Sequence, residues 1–269
     1  MNSKEEFTIQ MKMKVAEIEE ILKRYLPEAE GYQKVIMEAM EYSLMAGGKR
    51  LRPMLMQETC RLFGEEPETL KPFMAALEMI HSGSLVHDDL PCMDDDMMRR
   101  GQASTWAEYG EDMGVLAGDA LMIYAFEVAA KAFKEVSDAD DLKRVGRAIE
   151  ILASKTGIYG MIGGQTVDVE LAGGPIPKNK LDFIYRLKTG ALIEASMLIG
   201  AVLGGAAEED CKIVESLAGK VGLAFQIQDD ILDVTGDQEV LGKEAGSDEK
   251  NQKTTYVTLE GLEKAKKDV

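Results

Sequence analysis

Positive charge is scarce in this sequence: 31 lysines and arginines stand against 48 aspartates and glutamates, a formal net charge of −17 over 269 residues. Such a surface would repel phosphate backbones, which argues against nucleic acid as a partner. Cysteine is scarce too. Cys60, Cys92 and Cys211 are odd in number and far apart, so they offer neither a zinc spacing nor a disulfide framework. A reducing cytoplasm is the expected setting. Met1 to Gln10 is polar and acidic, unlike the apolar core of a secretory signal. The longest apolar run, Ala191–Ala207, carries Glu194 and is rich in Gly and Ala. It reads as a close-packed buried helix, since a membrane span needs about 20 apolar residues.

Strand signals are nearly missing, because β-branched residues are never concentrated between turns. Helical spacing is everywhere instead. Val15, Ile18, Leu22 and Tyr25 recur at three and four residues, as do Leu70, Phe73, Leu77, Ile80 and Leu85, and again Leu181, Ile184, Tyr185 and Lys188. Breaks fall at Gly47-Gly48, Gly64–Pro67, Gly101, Gly163-Gly164, Gly173–Pro177 and Gly236, with no linker and no short repeat. One all-α domain over 1–269, a bundle of about ten helices, is the expectation. The 17 methionines fit as fillers of gaps between helices.

Against this background two acidic clusters stand out. Asp88, Asp89, Asp94, Asp95 and Asp96 crowd five carboxylates into the segment 88–96, at the end of an apolar helix and just before Arg99-Arg100-Gly101. A solvated acidic loop would carry such charges, but not at that place. Acid followed at once by base suggests a metal and an anion held side by side, and oxygen-only donors suit Mg²⁺ or Ca²⁺. The ligand pattern of an EF-hand is not met. Pro91 disrupts helical hydrogen bonding, so Asp94 is expected to return toward Asp88. The second cluster, Asp229, Asp230 and Asp233, lies on an otherwise apolar helix without cationic partners one turn away. Asp229 and Asp233 share a face, with Gln226 one turn earlier.

Basic residues are few, so their grouping is informative. Gly47-Gly48-Lys49-Arg50-Leu51-Arg52-Pro53 looks like an anion-binding turn opening a helix, without the glycine spacing and Ser/Thr of a Walker A loop. His81 precedes Asp88 by two helical turns, about 10 Å, which suits a metal-free anion site beside a metal-bound one. Lys188-Thr189-Gly190, Lys243 and Lys253 complete the set of isolated cations.

With these motifs in order, the chain resembles the trans-isoprenyl diphosphate synthases, most closely the bacterial farnesyl and geranylgeranyl type. The likeness runs from about Tyr42 to Tyr256. It rests on GGKRLRP, HDDLPCMDDD followed by RRG, GDAL at 118–121, GGQTVD at 163–168, KTG at 188–190, FQIQDDILD, and Lys243 to Lys253. The resemblance implies an all-α fold around a central catalytic cavity and a magnesium-dependent prenyltransferase. Asp88, Asp94 and Asp229 would contact metal, with Asp89, Asp230 and Asp233 supporting. Arg99, Lys188, Thr189, Gln226, Lys243 and Lys253 would hold the allylic diphosphate. Gly48, Lys49, Arg52, His81 and Arg100 would hold isopentenyl diphosphate. Gln165 and Asp168 would sit near the reacting carbons and the water around the metal. Three Mg²⁺ ions and a homodimer are implied in the same way. Because water would quench an allylic cation, 236–253 is expected to close over substrate. The chain departs from the family in stopping at Val269, where relatives usually continue through further C-terminal helices.

Product length is expected to depend on Gly83 and Ser84, beneath Asp88 on its own helix. Related farnesyl enzymes place an aromatic at the Gly83 position as a floor, and glycine would remove it. Farnesyl diphosphate and the longer geranylgeranyl diphosphate are both expected products. The alternatives are a terpene cyclase, which needs no isopentenyl site, a non-catalytic partner subunit, and an acidic metal-buffering protein.

Overall fold

A computed structural model of the chain describes residues 3–236 and 254–269. The fold is all-α, and among the described residues the one sheet is a two-stranded hairpin. Contacts gather into two compact units, Met1–Glu150 with Leu198–Ala207, and Ile151–Met197 with Glu208–Val269.

The first unit is built from α1 (Ser3–Tyr25), α2 (Lys34–Leu44), α3 (Leu51–Phe63) and α4 (Leu70–Asp88). After them come the hairpin β1 (Met98–Arg99) and β2 (Gln102–Ala103), α5 (Thr105–Tyr109), α6 (Glu111–Ala130) and a 3₁₀ turn at Lys131–Lys134. Helix α4 is its axis. Phe73, Met74, Leu77, Met79 and Ile80 are all fully buried, so apolar residues surround the helix rather than forming one stripe. Helix α6 lies against it where both helices are narrow. A Cβ on Gly83 would come within 3.0 Å of the Gly118 carbonyl oxygen and 3.2 Å of Leu121 Cβ.

The run Ala191–Ala207 contains α10 (Ala191–Leu203), and every residue of that helix is buried. In its C-terminal part Gly200 and Gly204 lie against the backbone of Met56 and Cys60, where any side chain would collide. The Gly/Ala-rich pattern therefore does what close packing requires of it. Buried Met54, Met56, Met74 and Met79 fill the same core, as the methionine count suggested.

The second unit contains the end of α7 (Ala139–Thr156), α8 (Met161–Glu170), α9 (Lys178–Ile184), α11 (Glu208–Thr235), α12 (Tyr256–Glu260) and α13 (Leu262–Asp268). Its core joins Leu181, Ile184 and Tyr185 to Ile227 and Ile231 of α11 and to Tyr256 and Val257. Between α9 and α10 the chain winds as a π-helix over Tyr185–Gly190, a feature the helical spacing did not announce. Such π segments are uncommon and concentrate at functional sites.

Candidate active site

The first aspartate cluster follows directly from the end of α4. Past Asp88 the chain turns, and the Met93 N–H bonds the Leu90 carbonyl at 2.8 Å. The Asp94 N–H then donates to the Asp88 carbonyl at 2.9 Å, and the Asp96 N–H to that of Asp89 at 3.1 Å. Asp94 thus returns to Asp88, and Asp95 takes the tight bend at φ 54°. Asp94, Asp95 and Asp96 are exposed, Asp88 is half-buried, and Asp89 is buried.

Asp89 has a different task from its neighbours. Its carboxylate accepts two hydrogen bonds from Arg99 Nε, at 2.9 and 3.2 Å, and one from Nη2, which also reaches Asp96 at 3.2 Å. Burial raises the Asp89 pKa, Asp96 and Asp94 add to that, and Arg99 opposes it. A buried carboxylate so engaged anchors Arg99 instead of offering lone pairs to a cation.

Arg99 and Arg100 stand on the hairpin, which the sequence pattern did not reveal. Its two-residue turn places Arg100 at φ 53° and Gly101 at φ 85°. Positive φ at both positions is what a tight type I′ hairpin needs, and Gly after Arg100 was the available signal. Arg100 Nη1 donates to the Gly47 carbonyl, and its guanidinium lies flat on Gly48, where a Cβ would meet Cζ at 3.0 Å. Gly48 itself is at φ 134°. Glycine there serves both the turn and the close approach.

The turn ahead of α3 therefore meets the hairpin and α4 in one cationic group. Arg52 Nη1 lies 3.0 Å from His81 Nε2, and Lys49 projects into solvent. Burial lowers the pKa of Arg52, opposed by Glu78 and reinforced by Arg100. Burial likewise lowers that of Arg100, with Glu78 opposing and Arg50 and Arg99 adding. Cations crowded together under partial burial gain most from an anion, and no metal donor set is needed. Arg52, His81 and Arg100 are thus brought together, with Lys49 exposed on the same turn.

Two residues of this group were overlooked in the sequence. Arg50 is fully buried at φ 48° and donates to Glu78 Oε1 at 2.9 Å and to the Leu44 carbonyl at 2.7 Å. Glu78, three residues before His81 on an otherwise apolar helix, is buried as well. An acid in that setting was the signal.

In the second unit, the π segment is clamped by glycines. A side chain on Gly164 of α8 would collide with the Lys188 backbone, and one on Gly222 of α11 would meet Gly190 Cα at 2.9 Å. Lys188 Nζ pairs with Asp168 Oδ2 at 2.6 Å, and Thr189 donates to Gln226 Oε1 at 2.8 Å. Lys188, Thr189, Asp168 and Gln226 are thus brought together, and Gln165 is half-buried on α8.

On α11, Asp229 is half-buried, while Asp230 and Asp233 are buried. Asp230 Oδ2 accepts from the Tyr185 hydroxyl at 2.6 Å and from the Tyr256 N–H at 2.8 Å. Asp230 thus ties the π segment and the start of α12 to α11. Tyr185 and Tyr256 were not singled out in the sequence. Lys243, Lys253 and most of the segment expected to close lie outside the described residues.

The donor set fits a hard divalent cation, being carboxylate oxygens with Asp88 and Asp94 drawn together. Among the described residues no three acids already form a complete cage. Mg²⁺ takes one or two carboxylates plus phosphate oxygens and water.

A family model described as polyprenyl synthetase matches residues 33–269. The chain belongs to the polyprenyl synthetase family. It is 47% identical over 234 residues to the chloroplastic heterodimeric geranylgeranyl pyrophosphate synthase large subunit 1 of Arabidopsis thaliana, covering 86% of this chain and 62% of that protein. It is 43% identical over 254 residues to the farnesyl diphosphate synthase of Geobacillus stearothermophilus, covering 93% of this chain and 82% of that protein. The geranyltransferase of Helicobacter pylori, solved with magnesium and isoprenyl diphosphate, superposes with a TM-score of 0.82 at 33% identity, over 94% of this chain and 83% of that one. Like other members of the polyprenyl synthetase family, the chain has the all-α isoprenoid synthase fold.

Proposed function

We propose that this chain is a short-chain trans-prenyltransferase that condenses an allylic diphosphate, dimethylallyl or geranyl, with isopentenyl diphosphate. Farnesyl diphosphate is the product, and geranylgeranyl diphosphate where the tail has room. The observation that carries this reading is the cationic group at Arg52, His81 and Arg100, which offers an anion no metal donors. A cyclase has no use for such a second diphosphate site.

Asp88, Asp94 and Asp229 would hold magnesium, three ions when substrate is bound. When bound, magnesium neutralises charge on the leaving diphosphate. Lys188, steadied by Asp168, presents its ammonium to that same diphosphate, beside Thr189 and Gln226. Lys243 and Lys253 serve it as well. Arg52, Arg100 and Lys49, with His81, hold the diphosphate of isopentenyl diphosphate, and Gly48 belongs to that site by letting the Arg100 guanidinium lie against the turn. The allylic C–O bond ionises, its electron pair leaving with the diphosphate, and the isopentenyl double bond attacks C1 of the resulting allylic cation. The proton then lost from isopentenyl C2 passes to the departing diphosphate. Gln165 belongs beside the reacting carbons, where water must be kept out.

The two units act as one catalytic domain in this reading, and the active form is a homodimer. The stretch Glu111–Lys134 is long and apolar enough to cross a membrane by length and composition, with 39% of its most apolar window buried. Val115, Leu116 and Ile123 are exposed along it. We assign that face to a second copy of the chain, since burial against protein satisfies an apolar face that Glu111, Asp112, Asp119 and Glu127 border with charge. The odd number and wide spacing of Cys60, Cys92 and Cys211 fit a reducing, cytoplasmic setting.

Chromatography of products formed from geranyl diphosphate and Mg²⁺, with and without isopentenyl diphosphate, tests the reaction. Farnesyl diphosphate is expected only when both are present. Hydrocarbon release from geranyl diphosphate alone would favour a cyclase.

A further inference from the structure

The contact between Arg52 and His81 fixes a proton. An arginine nitrogen can only donate, so at 3.0 Å His81 Nε2 must accept, and the neutral ring carries its hydrogen on Nδ1. That Nδ1 is buried and lies 3.6 Å from Glu78 Oε2. Neither atom has a hydrogen-bond partner within 3.5 Å, so each is left facing the other across that 3.6 Å contact. The second oxygen of Glu78 is held by Arg50, whose own guanidinium also grips the Leu44 carbonyl at the end of α2. Hydrogen bonds thus run from α2 through Arg50 to Glu78 and from His81 to Arg52, and the 3.6 Å contact of Glu78 with His81 joins the two.

We infer that Glu78 is a positioning residue for the metal-free diphosphate site: it holds His81 in the Nδ1–H form, so that Nε2 orients Arg52, and through Arg50 it sets the turn that opens α3. This rests on the function proposed above. Glu78 is buried among Arg50, Arg52 and Arg100, while Glu19, more exposed, lies 3.6 Å from Arg50 on its other side. A neutral amide cannot replace Glu78. Glutamine would present its NH₂ group either to His81, reversing the ring, or to Arg50, leaving two donors face to face.

The chain has two histidines, and the other is fixed the opposite way, since His87 Nε2 donates to the Val115 carbonyl at 3.0 Å. Ring ¹⁵N shifts at neutral pH should therefore show one histidine of each tautomer. Glu78→Gln should shift the His81 ring away from the Nδ1–H form. It should also raise KM for isopentenyl diphosphate about tenfold or more while KM for the allylic diphosphate stays within about threefold. Glu78→Asp, which keeps the charge, should restore part of the loss. If Glu78→Gln does not fold, the wild-type ring shifts and Glu78→Asp carry the same test. A wild-type His81 with its proton on Nε2, or Glu78→Gln with unchanged KM for isopentenyl diphosphate, would overturn the role of Glu78. Wild type that binds both diphosphates without condensing them would instead overturn the proposed function, and the ring shifts would still decide the arrangement of Glu78.

Discussion

His81 is where burial and charge meet most sharply. Burial, reinforced by the Arg52 guanidinium, pushes its ring down to about 4 from an ordinary 6.5, with Glu78 pulling the other way and Arg100 adding a little. The unfolded chain takes up a proton at this ring near pH 6.5 that the folded chain refuses until about pH 4. Stability from a neutral His81 is therefore complete above pH 6.5 and is lost as the pH falls to about 4. The loss is on the order of 2–3 kcal/mol. Urea unfolding at pH 7 and pH 4.5 checks this: His81→Gln should lose less stability between them than wild type, and equal losses would refute it. At Asp230 the expectation is structural. Asp230→Asn should cost about 1–3 kcal/mol by weakening the acceptor shared by Tyr185 and the Tyr256 N–H, read as a lower Tm. An unchanged Tm would show that the link to α12 carries no stability.

At the scale of elements, α4 and α6 approach closely about one turn before Asp88. Ser84 is half-buried and donates to the His81 carbonyl at 2.8 Å, while Gly83 faces α6 at Gly118, Leu121 and Met122. Glycine at 83 was read in the sequence as an absent tunnel floor. The contacts add a second reason for it, the close approach of two helices. Gly83→Tyr should shorten the product, as proposed, and also lower stability by about 1–3 kcal/mol through overpacking. Product chromatography and thermal unfolding of the same variant separate the two effects. Shortening without destabilisation would mean that the ring enters open space.

The helices themselves were legible because their apolar spacing is regular and Gly and Pro mark their ends. The return of Asp94 to Asp88 followed from Pro91. The hairpin at Arg99–Gln102 was not legible, because two residues per strand cannot show alternation. The π segment was hidden for a related reason: one extra residue in a turn leaves apolar spacing almost intact. Its only trace was the glycines at 164, 190 and 222, which make sense once three backbones are seen to converge.

For the whole molecule, the motifs disclosed the family, whereas the buried residues beside the cationic group were harder to see. Arg50 and Glu78 looked like one more basic residue and one more acid until burial set them apart. Assembly belongs to this scale as well. If the α6 face is covered by a second copy, Ile123→Glu should convert a dimer to a monomer, measured by light scattering at micromolar concentration. A dimer that persists would place the interface elsewhere.

The central claim is that two diphosphates are held at once and joined through carbon. Mass spectrometry of the product made from unlabelled geranyl diphosphate, uniformly ¹³C-labelled isopentenyl diphosphate and Mg²⁺ tests it directly. The account predicts a prenyl diphosphate that gains one intact labelled isopentenyl unit per condensation. Consumption of geranyl diphosphate into products without label would contradict it.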